Sequence, residues 1–271
     1  MKLFTNQIKK ISNFYRQLRD LLDLNQPYII TKWGFRFSGN SVMANGNFEI
    51  IETEILNKLF TKVDILVNVG ANIGYYSCLA LNKNKYVLAF EPIQRNLKYL
   101  LKNISVNSWN NKIEIFQSAL GKENDILKIY GGNTGASLIK GWANIPDSYS
   151  TYVPVLKLDN ILVNRFVKEK LLILIDIEGS EYNMLQGAIS TMDRLSSPIW
   201  VIEITLKEHQ PNGNNPNFLS TFELFSTRGY HMYYADQNLT KLTIEDVSLI
   251  INEQIIPKSH NYIFTKDIIE F

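Results

Sequence analysis

Cysteine is nearly absent from this chain of 271 residues: Cys78 stands alone, which excludes an internal disulfide and a multi-cysteine zinc site. Its place in an apolar helical stretch makes it a small core residue, and such sparing cysteine use fits a reducing, cytoplasmic setting. Long hydrophobic runs are also missing. No stretch approaches the ~20 apolar residues that cross a bilayer, so no transmembrane segment is expected. The opening "MKLFTNQIKKISNFYRQLRDLL" lacks the apolar block and small-residue cleavage site of a signal peptide, and the chain is expected to be soluble and unprocessed. An excess of one charge is lacking too: 28 Lys and Arg face 26 Asp and Glu, leaving a formal +2. The lysines are scattered, without the basic run that grips a phosphate backbone, so nucleic acid is not an expected partner.

What the chain does have is apolar content. At 45% hydrophobic residues it can bury a full core, as one large domain or a domain with an appendage. Phe4, Ile8, Ile11, Phe14, Leu18 and Leu21 recur every three or four residues with Lys9, Lys10, Arg16 and Arg19 between them, which predicts an amphipathic helix. Its apolar face would pack on the domain or on a second subunit, as in a homodimer; a membrane surface is the other use of such a helix. "YIITKWGFRFSG" then alternates around Gly34 and predicts a hairpin, and "NFEIIETEILNKLF" restores helical spacing. We therefore divide the chain into an appendage, residues 1–47, and a main domain, residues 48–271.

Within the main domain, apolar runs alternate with helical segments: strand "DILVNV", helix "GYYSCLALN", strand "KYVLAF", helix "QRNLKYLLKNISVN", strand "KIEIFQSA". Strand "LLILIDI", helix "SEYNMLQGAISTM" and strand "PIWVIEI" continue the pattern. This is the signature of βαβ units, a mostly parallel sheet with helices on both faces. "GYHMYYA", "KLTI" and "NYIFTK" read as short strands added antiparallel to one edge. Two long segments rich in Gly, Asn, Pro and Ser, Gly131–Thr151 and Lys207–Asn217, are candidate acceptor-binding loops, with ordinary surface insertions as the alternative.

The turn after the first of these strands, "VNVGANIGYYS", resembles a dinucleotide-binding turn with the wrong spacing. Counting from Gly70, Asn72 and Tyr75 stand where a nicotinamide fingerprint places glycines, whereas Gly74 fits the shorter GxGxG spacing of S-adenosylmethionine (SAM) turns. Asn72 suits such a turn, because asparagine tolerates left-handed backbone angles. Asn68, Gly70, Asn72, Gly74 and Tyr75 are thus candidates to line the cofactor. Glu91, about 20 residues on at a strand end, is placed to accept both hydroxyl hydrogens of a ribose, its alternative being a helix cap. Ser118 and Ala119 end the next strand, where an adenine ring could lie.

Acids gather further on. Asp176 ends a buried strand, Glu178 follows on the same side, Glu181 opens the next helix, and Glu203 ends the next strand. Carboxylates so close need a shared proton, a cation or surrounding donors. Asp176, Glu178 and Glu203 are candidates for a general base or for holding Mg²⁺ or Mn²⁺, while Glu181 is assigned to helix N-terminal electrostatics. His209, in the second long loop, is a further candidate base.

With "NVGANIGYYS", "AFEPIQRNLKYLLKNI", "ALG", "LKLDNIL", "IDIEGSEYNMLQGA" and "VIEI" in this order, the chain resembles the FkbM-type family of SAM-dependent methyltransferases over roughly Phe48 to Thr265. The resemblance implies a class I methyltransferase (Rossmann-like) fold with a mostly parallel seven-stranded sheet and an antiparallel edge. It also implies SAM as methyl donor and transfer to a hydroxyl of a sugar, glycan or secondary metabolite. Gly70, Asn72 and Gly74 would line the methionine end, Glu91 would hold the ribose, and Asp176 would lie near the reacting centre. The family commonly has Asp where this chain has Asn68, which removes a charge that would attract the amino group of SAM. A catalytically silent module binding SAM or a glycan is the alternative that this departure leaves open.

Overall fold

A computed structural model describes residues 27–268; the helix predicted over Phe4–Leu21 lies outside the described residues. The strands are β1 (Ile29–Ile30), β2 (Arg36–Phe37), β3 (Ile65–Val69), β4 (Tyr86–Phe90), β5 (Ile113–Phe116), β6 (Ala119–Leu120) and β7 (Asp125–Tyr130), then β8 (Ser150–Leu156), β9 (Leu171–Ile175), β10 (Ile199–Glu203), β11 (His231–Tyr234), β12 (Lys241–Leu242) and β13 (Asn261–Thr265). The α-helices are α1 (Ser41–Ala44), α2 (Ile50–Leu59), α3 (Tyr75–Asn82), α4 (Gln94–Val106), α5 (Leu158–Leu162), α6 (Glu181–Gln186), α7 (Ile189–Met192), α8 (Phe218–Ser226) and α9 (Ile244–Ile251).

The central sheet has eight strands in the order β12-β11-β13-β10-β9-β3-β4-β5. Strands β5, β4, β3, β9 and β10 are mutually parallel, and β13 runs antiparallel to both β10 and β11. β11 therefore points the same way as the parallel set, separated from it by one reversed strand. The short edge strand β12 is the eighth, beyond the expected seven. This mixed sheet with helices on both faces is the class I methyltransferase-like architecture.

Strand alternation explains why both faces are covered. Ile65, Val67 and Val69 of β3 share a core with Leu171, Ile173 and Ile175 of β9 and with Leu185, Phe222 and Val247 from α6, α8 and α9. Leu66 instead joins Leu172 and Leu174 in a second core with Ile55, Leu79 and Leu100 from α2, α3 and α4. All five residues of β9 are buried, the unbroken apolar run of a strand covered on both faces. Each such side chain contributes about 1.5–3 kcal/mol on burial. The β1–β2 hairpin adds Phe35 and Phe37 to the second core.

A second sheet of three strands, ordered β6-β8-β7, is absent from the sequence-based element list. β7 and β8 form an antiparallel hairpin whose long connection, closed at its base by the Gly131 N–H donating to the Tyr149 carbonyl at 2.8 Å, carries a 3-10 turn at Trp142–Asn144. Most of the segment read as a free loop is thus tethered at both ends. The helix predicted as one piece after β9 is two, α6 and α7, broken at Gly187. There a Cβ would lie 2.0 Å from the Gly121 carbonyl oxygen, so the two backbones touch.

Candidate functional site

The parallel strands point their carboxyl ends at one region, where open α/β sheets bind ligands. After β3 the chain turns through Gly70, at φ 82°, on which a Cβ would lie 1.9 Å from the Asp176 carbonyl oxygen. Neighbouring Asn72 takes a left-handed φ of 51° and accepts from the Ile73 N–H at 2.9 Å on its own Oδ1. Its backbone N–H donates to Glu91 Oε2 at 2.7 Å, tying the turn to the end of β4. The other Glu91 oxygen accepts from the Ile93 N–H at 2.7 Å and from Asn96 Nδ2 at 3.3 Å. Burial pushes the Glu91 carboxyl up to about 7, against the lowering effect of these donors.

A cleft of about 620 Å³ opens beside this turn, lined by Gly70, Asn72, Glu91, Ser118, Ala119, Asp176 and Glu178 among others. Ser118 is 3% exposed, and its Oγ has no hydrogen-bond partner among the described residues, a polar atom that a ligand could satisfy.

Three residues assigned to the cofactor turn from sequence stand elsewhere. Asn68 is 2% exposed, sits in register between Ala89 and Leu174 of the second core, and donates from Nδ2 to Ser77 Oγ at 2.9 Å. Strand alternation turns it away from the cleft wall that Val69 forms. Gly74 packs on Leu100, whose Cδ1 would be 2.5 Å from a Cβ there. Tyr75 is buried among Trp33, Phe37 and Phe48, its hydroxyl 3.2 Å from Thr53 Oγ1.

A second cavity, about 400 Å³, adjoins the first. Trp142, Glu178, Glu181, Glu203, Thr205 and His209 are in its wall, and Glu178 belongs to both cavities. Asp176, on the first, and Glu203, on the second, share a hydrogen bond between their carboxyl groups. Burial, with the charges of Glu203 and Glu178, holds Asp176 well above the usual carboxylate range. Burial also raises Glu203, to about 7, though the bond from Asp176 works the other way. The bond therefore favours the protonated form of Asp176 and the ionised form of Glu203.

Glu181 is 3% exposed and accepts from the Gly179 N–H at 2.9 Å, so it holds the backbone just ahead of its own helix and at the same time walls the second cavity. Burial pushes it up to about 7. Among the described residues no three His, Cys, Asp or Glu side chains converge as a group that could hold a metal ion. The Mg²⁺ or Mn²⁺ site suggested on Asp176, Glu178 and Glu203 is therefore not supported: two of these acids bind each other, and the third is held by Trp142.

That tryptophan comes from the β7–β8 connection. Trp142 Nε1 donates to Glu178 Oε2 at 2.9 Å, and Ser137 Oγ donates to the Glu178 carbonyl at 2.6 Å. The two long loops meet here: the Ala143 N–H donates to the His209 carbonyl at 2.9 Å, and the Trp142 and His209 rings lie 5.8 Å apart. Trp142 is 1% exposed, whereas Tyr152, on β8, is 66% exposed.

Sequence reasoning missed Glu49 and Tyr76. The Tyr76 hydroxyl donates to Glu49 Oε2, and both groups act electrostatically on Asp176 or are acted on by it. Glu49 precedes α2 in a left-handed conformation, φ 40°, which no local sequence signal marks.

The family model for the methyltransferase FkbM domain matches residues 68–232, more than half of the chain. The chain belongs to the FkbM methyltransferase family. An FkbM methyltransferase structure from Methylobacillus flagellatus is 14% identical over 94% of this chain, with a TM-score of 0.44; the match spans 60% of that protein's length. A precorrin-6y C5,15-methyltransferase from Geobacter metallireducens is 13% identical over 72% of this chain and 78% of its own, TM-score 0.42. For a SAM-dependent methyltransferase from Agrobacterium tumefaciens the figures are 11%, 73% and 56%, TM-score 0.40. No curated protein sequence matches the chain. Among the described residues no helix is long and apolar enough to cross a membrane.

Proposed function

We propose that this FkbM-family methyltransferase uses SAM and methylates a hydroxyl group of a sugar, glycan or secondary metabolite. The observation that carries the reading is the junction of the two cavities, where Asp176 lines one, Glu203 lines the other, Glu178 lines both, and the Asp176 and Glu203 carboxyl groups are hydrogen-bonded. The first cleft fits SAM on two counts. Ser118 Oγ offers an unused polar atom among the described residues, and Glu91 and Glu178 line it with carboxyl groups suited to a ligand that carries a net positive charge.

Bound there, SAM would supply an electrophilic methyl group already activated by its sulfonium. The protein's remaining task is to place a hydroxyl and take its proton. Glu203 is the assigned base: it borders the second cavity, and its carboxyl, raised to about 7, is balanced between accepting and releasing a proton at neutral pH. As the acceptor oxygen bonded to the methyl carbon, the carbon–sulfur bond would break to leave S-adenosylhomocysteine and the hydroxyl proton would pass to the Glu203 carboxylate, whose charge before transfer Asp176 stabilises by its hydrogen bond. His209 lies in the same wall and orders the loop over it through its carbonyl. Glu91, held by the glycine turn, serves the ribose hydroxyls.

Calorimetric titration with SAM, S-adenosylhomocysteine and NAD tests the cofactor, with SAM and S-adenosylhomocysteine binding and NAD not. Labelled SAM incubated with a panel of hydroxylated metabolites and glycans tests the reaction. Absence of SAM binding at millimolar concentration refutes the proposal, and binding without transfer to any acceptor points to the silent module.

A further inference from the structure

Glu178 has a backbone conformation that its surroundings must impose. Its φ of 57° lies in the left-handed region, costly for a residue with a long side chain. Ser137 Oγ, itself accepting from the Ile139 N–H at 2.9 Å, holds the Glu178 carbonyl. Trp142 Nε1 holds Oε2. Gly179, next in the chain at φ 95°, leaves bare backbone on which the indole sits: a Cβ there would be 2.4 Å from Trp142 Cζ3. The indole is therefore fixed in place and orientation. Its partner oxygen being taken, Glu178 Oε1 lies against the first cleft, 3.7 Å from where a Cβ on Gly135 would be.

We propose that Trp142 is a positioning residue for the positive charge of the methyl donor: by binding one oxygen of Glu178 it presents the other to the donor cleft. It acts from the wall of the acceptor cavity, so donor and acceptor sites share one carboxylate through a loop outside the parallel sheet. The inference rests on the reading of the first cleft as a SAM site. It extends that reading to a side chain at the cleft's far side and to the sulfonium, the group that distinguishes SAM from its uncharged product.

The test compares SAM with S-adenosylhomocysteine, which lacks the sulfonium charge. Calorimetry on the full chain would give both dissociation constants for the wild type, W142F, E178Q and the double variant; phenylalanine keeps most of the ring and removes the N–H. Freeing one hydrogen bond to a charged group corresponds to about a 10-fold loss. W142F is expected to weaken SAM by about that factor while S-adenosylhomocysteine changes less than about 2-fold. E178Q should also lower the preference for SAM, and the double variant should be no worse than E178Q. Equal weakening of both ligands, no weakening, or additive losses in the double variant would overturn the proposal. If W142F does not fold, E178Q decides alone: an unchanged preference for SAM refutes the role of the shared carboxylate. Failure of the wild type to bind SAM would instead refute the reading of the cleft.

Discussion

Substituting Asn68→Asp restores the residue commonly found there in the family, and the structure makes it a destabilising change that does not improve binding of the methyl donor. Asn68 is 2% exposed between Ala89 and Leu174, with Ser77 Oγ as its side-chain partner at 2.9 Å. Ser77 can rotate its hydroxyl to donate to a carboxylate, so one hydrogen bond survives. The charge is what the site cannot accommodate. A buried carboxyl raised by about 2–3 units costs about 3–4 kcal/mol at neutral pH, at roughly 1.4 kcal/mol per unit. The sign follows from linkage: the folded-state value lies above the unfolded ~3.9, so the unfolded chain gives up its proton first. Stability relative to wild type falls as pH rises from about 4, and the full loss is reached above the folded-state value. Urea denaturation of both proteins at pH 5 and pH 8 should show a small difference at the lower pH and a large one at the higher. Calorimetry should show no gain in SAM affinity. Equal stability at both pH values together with tighter SAM binding would mean that this side chain faces the cleft, and the reasoning would fail.

Other expected outcomes concern the proton and the packing. E203Q keeps the shape of the side chain and an acceptor for Asp176; kcat should fall by about 10²–10⁴ while the SAM dissociation constant changes little, and a loss confined to SAM affinity would contradict the assignment. With Glu203 raised to about 7 and required ionised, wild-type kcat should rise with pH through that value, and a pH-independent kcat from 6 to 8 would count against it. Because Glu91, raised to about 7, ionises more readily beside a cation, SAM should bind more tightly as pH rises through 7 and release a proton. Calorimetry in buffers of different ionisation enthalpy would show this, and buffer-independent heats would refute it. Gly187→Ala places a Cβ 2.0 Å from the Gly121 carbonyl oxygen; a cost of about 1–3 kcal/mol should lower Tm by several degrees, and an unchanged Tm would show that the backbones separate freely.

Much of the fold is legible in sequence because parallel strands covered on both faces must be apolar throughout, as "LLILI" is. The β7–β8 hairpin is not, because its burial comes late and on one side. Asp125–Tyr130 begins with two exposed residues, and Ser150–Leu156 carries Pro154, which weakens a strand reading. The glycines of "VGANIG" are legible as necessary, yet the reason differs from the one spacing suggests: Gly70 makes room for the Asp176 backbone and Gly74 for Leu100. The choice between Tyr75 and Tyr76 turns on helix phase. Successive helical residues point about 100° apart, so one tyrosine enters the aromatic core and its neighbour turns to Glu49. That phase is set by the turn at Gly74 and is written in no local pattern.

The acids of "IDIEGSE" show the same limit, and their separation into roles follows from it. Crowded carboxylates require donors, a cation or a shared proton, and nothing in their spacing says which acid receives which. The fold gives Glu181 the Gly179 N–H and Glu178 the Trp142 N–H. Asp176 is hydrogen-bonded to Glu203, from a strand more than twenty residues away in the chain. Two of the acids are thus satisfied by neutral donors that have no proton to trade. The Asp176–Glu203 pair alone among these acids is joined carboxyl to carboxyl, and that is the arrangement the proposed base at the meeting of two cavities requires.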